Sequence, residues 1–226
     1  MEVVAWTFAE AHRNAVKMIL DFGIEAPTDY DVPGERLSLD LPLVIEVLYP
    51  WDPPIFSKCV WDDAKGLVDY KDEVLHGTHD DKVAQLGYTY HNRIEEQIPG
   101  VIKELSRNLH SRRAQVITWI PEIDQGSKHP PCLQRCWARM RSGRLDFHSH
   151  WRSRDTLKAW GSNVFALAHL HKLWADALHV SVGVYREFID SAHIYGRDIE
   201  KARGMAQRPL GDWEWTLKEI AKDASR

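Results

Sequence analysis

KHPPCLQRCWARMRSGRLDFHSHWRSRD, residues Lys128–Asp155, holds the strongest fold signal in the chain. RCWARMR and RLDFHSHW read as two strands, and Ser142-Gly143 between them reads as a tight hairpin turn. Ahead of the hairpin, Pro130 and Pro131 remove two backbone donors and fix two φ angles, so Cys132 enters the first strand from a pre-set direction. A thiolate is the reactive form of cysteine and neighbouring Arg or His⁺ stabilises it, so a stretch this basic suits a nucleophilic cysteine. The other reading of Cys132 is a half-buried, unreactive thiol at the start of a strand.

Working outward, RRAQVITWIP reads as a further strand, and QIPGVIKELSRNL and WDDAKGLVDYKDEVLHG as helices. RLSLDLPLVIEVLYP alternates and then becomes continuously apolar, which predicts a strand whose later part is buried on both faces. FAEAHRNAVKMILDFG has helical apolar spacing and stops at Gly23, and NVFALAHLHKLWADAL is the longest helix and the expected central one. The order helix, strand, helices, strands, helix, strand predicts an α+β fold around a mixed sheet.

Composition bounds the function. The chain has 226 residues, 44% hydrophobic and 27% charged, enough for one sizeable core, so residues 1–226 are expected to form a single domain. A net charge of −4 argues against a general nucleic-acid binder, DNA included, whose affinity comes from neutralising many phosphates. No apolar run approaches the roughly 20 residues needed to span a bilayer, and MEVVAWTFAEAHRN is too polar for a secretory leader. Cys59, Cys132 and Cys136 are an odd, sparse set that fits a reducing compartment. A cytoplasmic protein with no membrane partner is the expectation.

Taken in order, SRRAQVITWIPE, PPCLQ, GRLDFHSHWRSRD, an Asn at position 163 and DSAHIY resemble the motifs of the thymidylate synthase family, closest to its short archaeal-type members, from roughly Tyr88 to Tyr195. The resemblance implies that family's fold: a mixed β-sheet with helices packed on one face, stacking sheet to sheet in a homodimer. It makes Cys132 the nucleophile that adds to C6 of dUMP, which turns C5 into an enolate-like nucleophile able to capture the methylene group of a reduced folate. Arg152 and Ser153 match positions that bind the nucleotide phosphate, and Arg112 and Arg113 match positions that reach it from the partner subunit. Several guanidinium groups on one dianion also favour a nearby thiolate. By itself SRR reads as a solvated charged turn. Strand alternation puts Arg152 and Ser153 on opposite faces, so both reach one phosphate only where the strand ends or bulges.

Asn163 matches the residue that pairs with the uracil edge, where cytosine-specific relatives carry aspartate. Asp155 matches a position beside the pyrimidine, His193 and Tyr195 match groups on the sugar 3′-hydroxyl, and Tyr90 matches a tyrosine that assists proton removal from C5 through water. Read without the family, His193 and Tyr195 are ordinary alternating strand residues. Arg36 is the candidate for a mobile phosphate-binding arginine. Glu73 and Asp72 are nearest to the family glutamate, neither in register, and Trp151 stands where many members have glutamine. The C-terminal GDWEWTLKEIAKDASR reads as a short helix, with Trp213 and Trp215 either packing or covering the site. His148 with His150, and His169, His171 and His179, lack further ligands at metal spacing, so no metal is expected.

The implied activity is methyl transfer from 5,10-methylene-tetrahydrofolate, or a methanopterin analogue, to dUMP, giving dTMP. The alternatives are a dUMP hydroxymethylase giving 5-hydroxymethyl-dUMP, and a non-catalytic nucleotide- or RNA-binding regulator that keeps the fold.

Overall fold

Ser142 and Gly143 have φ of 49° and 76°, and they turn β5 (Leu133–Arg141) back on β6 (Arg144–Trp151) in the two-residue hairpin expected from sequence. The structure is a computed structural model that describes residues 1–56, 62–208 and 210. Its remaining strands are β1 (Glu2–Ala5), β2 (Ile24–Ala26), β3 (Ser38–Val47), β4 (Gln115–Ile117), β7 (Arg154–Asp155) and β8 (Ser181–Ile194). The sheet runs β1-β3-β8-β6-β5-β4, with β2 antiparallel to the start of β3 and β7 beside the end of β8. β1 with β3, and β6 and β7 with β8, are parallel, and the other pairs are antiparallel, so the sheet is mixed.

The helices are α1 (Phe8–Phe22), α2 (Ala64–His76), α3 (Val83–Leu86), α4 (Tyr90–Ile94), α5 (Ile98–Arg107), α6 (Pro121–Asp124), α7 (Trp160–Ala177) and α8 (Ile199–Ala206). At the start of α1 the Thr7 side chain accepts from the Glu10 N–H while the Glu10 carboxylate accepts from the Trp6 N–H at 2.8 Å. The helix ends at Gly23, where a Cβ would lie 2.5 Å from the Ile19 carbonyl oxygen, so close approach demands the glycine. α7 is buried along most of its length, from Trp160 to His171 and again at Trp174 and Ala175, as its mostly apolar composition requires, while Lys172 and Asp176 near its end face solvent. Phe8 of α1 meets Tyr185 edge-on at 5.0 Å, and Trp174 of α7 meets Phe147 at 5.4 Å, so both helices seal the same face of the sheet. Among the described residues, no helix is long and apolar enough to cross a membrane.

Two expectations need correction. β1 was not foreseen, because four residues carry too short a pattern to register; it lies beside β3 with Val3 and Ala5 turned inward. The later part of β3 is buried on one face only. Leu43, Ile45 and Val47 face the helices, whereas Val44 and Glu46 lie part-exposed on the uncovered face with Trp137, His148 and Phe188. Among the described residues, no helix covers that side.

Two histidines lie inside the core. His12 donates from Nε2 to the Thr156 carbonyl at 2.8 Å and stacks on Trp160, and His171 donates to the Leu145 carbonyl at 2.6 Å. Burial, opposed by these backbone bonds, pushes each imidazole down to about 4. The folded state therefore holds them neutral where the unfolded chain, with histidines near 6.5, takes up protons. Their contribution is fully present above pH ~6.5 and is lost as the pH falls through about 4, at roughly 3 kcal/mol for each histidine. Urea midpoints measured from pH 7 down to pH ~4 should fall steeply, and His171→Gln, though less stable at neutral pH, should show a flatter decline.

Candidate active site

A cavity of about 840 Å³ opens where β5 begins and β6 and β8 end, walled by α2, α4 and the first turn of α7. Cys132 lies at its floor, one residue ahead of β5. The Pro130-Pro131 pair contributes more than stiffness. Prolines keep their carbonyls, and Arg152 donates to both, from Nη2 to Pro130 at 2.7 Å and from Nε to Pro131 at 2.9 Å. The same guanidinium lies 3.6 Å from the Cys132 Sγ, and the Arg152 backbone N–H donates to the Cys132 carbonyl at 3.0 Å. Because β6 stops at Trp151, Arg152 and Ser153 leave the ladder and both line the cavity, which removes the alternation conflict.

The other walls come from distant segments. Tyr90 sits at the N-terminus of α4, where the Thr89 side chain accepts from the Asn92 N–H at 3.1 Å, and its hydroxyl accepts from the Leu133 N–H at 3.2 Å. Burial, followed by the nearby Tyr70, Tyr88 and Cys132, pushes the Tyr90 phenol well above its usual 10, so it keeps its proton. Asp155 turns the chain from β7 toward α7: its carboxylate accepts from the Leu157 N–H at 3.1 Å and the Lys158 N–H at 2.9 Å. Asn163 accepts at Oδ1 from Arg154 Nη1 at 2.9 Å and donates from Nδ2 to the Tyr70 hydroxyl at 2.6 Å.

His193 is buried in the end of β8, and its Nε2 has no hydrogen-bond partner, which leaves a polar atom for a ligand. Tyr195 packs edge-on against it at 4.9 Å, and burial together with the Asp155 carboxylate pushes that phenol up to about 12.

Glu73 lies at the cavity although it is out of register in the sequence. It lines the cavity one helical turn after Tyr70 on α2, and its carboxylate accepts from His79 Nδ1 at 2.8 Å. The i, i+3 spacing of Tyr70 and Glu73 was the available signal, since such residues share a helix face. Tyr70 and Tyr88 also line the cavity and were missed.

Three arginines are elsewhere. Arg36 pairs with Glu25 on the exposed edge at 3.3 Å, away from the cavity. Arg112 and Arg113 do not line the cavity of their own chain, and Arg113, 79% exposed, pairs with Glu104 at 2.8 Å. Of the histidines considered for a metal, His148 accepts from Arg186 at 2.9 Å and His150 meets Asp190 at 3.1 Å, both on the uncovered sheet face. Among the described residues, potential ligand atoms converge instead at Asp80, His91 and Glu95, where the His91 ring lies between the two carboxylates, 2.6 Å from Asp80 and 3.4 Å from Glu95. Cys59, Trp213 and Trp215 lie outside the described residues.

A thiol beside a guanidinium, a fixed carboxamide, an unpartnered imidazole nitrogen and a hydrogen-bonded carboxylate together suit covalent addition to a small, electron-poor ring that carries an anionic group. The comparisons agree in direction. The model of the family described as "Thymidylate synthase" matches residues 56–219. Two archaeal proteins that bear the name "Putative thymidylate synthase" are similar over most of the chain. The one from Methanosarcina barkeri is 29% identical, covering 91% of this chain and 94% of its own, and the one from Methanocaldococcus jannaschii is 30% identical, covering 85% and 90%. The thermostable thymidylate synthase A from Bacillus subtilis shares the fold, with a TM-score of 0.71 over 91% of this chain and 86% of that one, at 16% identity.

The two described thiols should differ in reactivity. Cys132 reaches the cavity, whereas Cys136 has no exposure and burial drives its thiol far above the usual range. Iodoacetamide on the native protein should alkylate Cys132 and leave Cys136 untouched until urea is added, as read by peptide mass; native labelling of Cys136 would contradict its burial.

Proposed function

The chain belongs to the thymidylate synthase family, and on that premise we propose that it transfers a one-carbon unit to C5 of dUMP, giving dTMP. The observation that carries the proposal is the convergence on one cavity of Cys132, Arg152, Ser153, Asp155, Asn163, His193 and Tyr195, drawn from positions more than sixty residues apart. The cavity volume is at the upper end for small-molecule sites, and the rings of Tyr30, Tyr88 and Tyr195 give flat faces for a pterin beside the nucleotide.

In this reading the Cys132 thiolate bonds to C6 and sends an electron pair to C5 and the O4 carbonyl. Arg152 and Ser153 hold the phosphate, Asn163 holds the base edge, Asp155 lies beside the ring, and His193 with Tyr195 holds the 3′-hydroxyl. C5 bonds to the methylene carbon and then gives up its proton, with Glu73 organising the water through which Tyr90 assists, and the bond from that carbon to the donor's nitrogen breaks as the proton leaves. Expulsion of Cys132 restores the ring. A bound 5,10-methylene-tetrahydrofolate, or methanopterin relative, supplies the methylene carbon and the hydride that completes the methyl group.

We further place two copies sheet to sheet. The uncovered face presents Phe188 at 38% exposure and Ile117 at 48%, with Val44, and an isologous contact would bury it and give β3 the second covered face its sequence suggests. Arg112 and Arg113, which do not line their own cavity, would then serve the partner's phosphate.

Incubation with dUMP and methylene-tetrahydrofolate should give dTMP by mass. 5-Hydroxymethyl-dUMP would instead identify water, in place of hydride, as the group that reaches the exocyclic methylene. Bound dUMP with no product from either class of donor would overturn the enzyme reading. Cys132→Ser should lose turnover by roughly a thousandfold or more while still binding dUMP, and Cys136→Ser should stay active.

Mixing inactive Cys132→Ser with Arg113→Ala chains under exchange conditions should restore activity, because a heterodimer would carry one site with both defects and one with neither. Confirmed heterodimers without recovery would show that the arginines act within their own chain or not on the phosphate.

A further inference from the structure

Arg154 was not singled out by sequence, and strand charges commonly face solvent. Here it is 2% exposed. Its Nη2 donates to Glu187 Oε1 at 2.8 Å, its guanidinium lies 3.5 Å from the centroid of the Trp151 ring, and its Nη1 donates to Asn163 Oδ1 at 2.9 Å. Glu187 is itself held by the Tyr185 hydroxyl and Trp160 Nε1, each at 2.8 Å. The guanidinium therefore has little freedom to turn.

We propose that Arg154 is a specificity-determining residue: it locks the Asn163 carboxamide in one of its two orientations, and thereby admits uracil and rejects cytosine. The inference rests on the base contact assigned to Asn163 above. A carboxamide is nearly symmetrical in shape, so an unrestrained asparagine can turn over and exchange its donor and acceptor ends. Uracil offers a ring N–H beside a carbonyl. Cytosine offers a ring lone pair beside an amino group, the reverse pattern.

Either base could thus be read by an asparagine free to flip. A guanidinium has donors and no acceptor, so the end of Asn163 that faces Arg154 must be oxygen. Turning the amide over would set its NH₂ against the Arg154 N–H, donor against donor, in a part-buried position. The Tyr70 hydroxyl on the other side imposes no such choice, because a hydroxyl both donates and accepts. In the locked orientation one lone pair of Oδ1 and one N–H of Nδ2 remain, which is the complement of uracil.

The test compares equilibrium binding of dUMP and dCMP to the full chain by calorimetry, without a one-carbon donor. Removing Arg154 alone would strand the Glu187 carboxylate, so the variant is Arg154→Met with Glu187→Gln, whose folding is checked by thermal melting. The dUMP preference should shrink by about tenfold or more, through gained dCMP binding as well as lost dUMP binding. A role in structure alone would weaken both nucleotides equally and leave the ratio where it was, which would overturn the proposal.

Should the double variant fail to fold, Arg154→Gln with Glu187→Gln serves: a glutamine carries both a donor and an acceptor and so cannot fix which end of Asn163 faces it, and the same loss of preference is expected. Asn163→Ala separates the two levels. An unchanged ratio there removes Asn163 from the base and defeats the parent reading. A collapsed ratio in Asn163→Ala with an intact ratio in the Arg154 variants defeats only the lock.

Discussion

A carboxylate with no solvent exposure, Glu187, constrains everything around it. Burying a charge costs several kcal/mol unless partners surround it, and removing one partner of such a pair typically costs roughly 3–5 kcal/mol. Glu187 stands on β8, and its partners come from β7 (Arg154), from the first residue of α7 (Trp160) and from its own strand (Tyr185). Satisfying one charge therefore fixes where α7 starts, holds β7 against β8 and lays a guanidinium on Trp151 at the end of β6. Those are the segments that carry Asn163, Asp155 and Arg152. The geometry of the cavity follows from electrostatics beneath it.

A second anchoring works from the opposite wall. The carbonyls of the two prolines before Cys132 both accept from Arg152, which is thereby aimed before any ligand arrives. Guanidinium geometry suits two acceptors at once, and a lysine would not span them. The Cys132 thiol, the cation beside it and the chain direction are set by the same few bonds. This is preorganisation of the kind that lets charge develop without later rearrangement.

Much of this was legible in the sequence because it is local. The Ser142-Gly143 hairpin, the end of α1 at Gly23 and the long apolar α7 each follow from residues within a few positions of one another. The cavity residues that lie in compact motifs were also found, among them Cys132, Arg152, Asn163 and His193. What escaped notice depends on partners far along the chain. Arg154 looks like a solvated strand charge until Glu187, 33 residues later, is seen to bury it. Tyr70 looks like part of the polar side of an amphipathic helix, since nothing near it announces Asn163. Arg36, expected as a mobile arginine, pairs with Glu25 on the exposed edge and does not line the cavity.

β8 pairs with β3, β6 and β7 and is the strand through which the two halves of the sheet meet, yet it lies at residues 181–194, late in the chain. During synthesis, β3 and the β5–β6 hairpin are therefore finished long before the strand that separates them. Each waits with an unpaired edge of backbone donors and acceptors, the feature through which strands of different chains join wrongly. Closing the sheet spans most of the sequence, and contacts of such separation form slowly. A ribosome that stalls before β8 emerges would release a chain with two open edges and no buried Glu187 to join them, so the burden on chaperones falls on the interval between completion of β6 and arrival of β8.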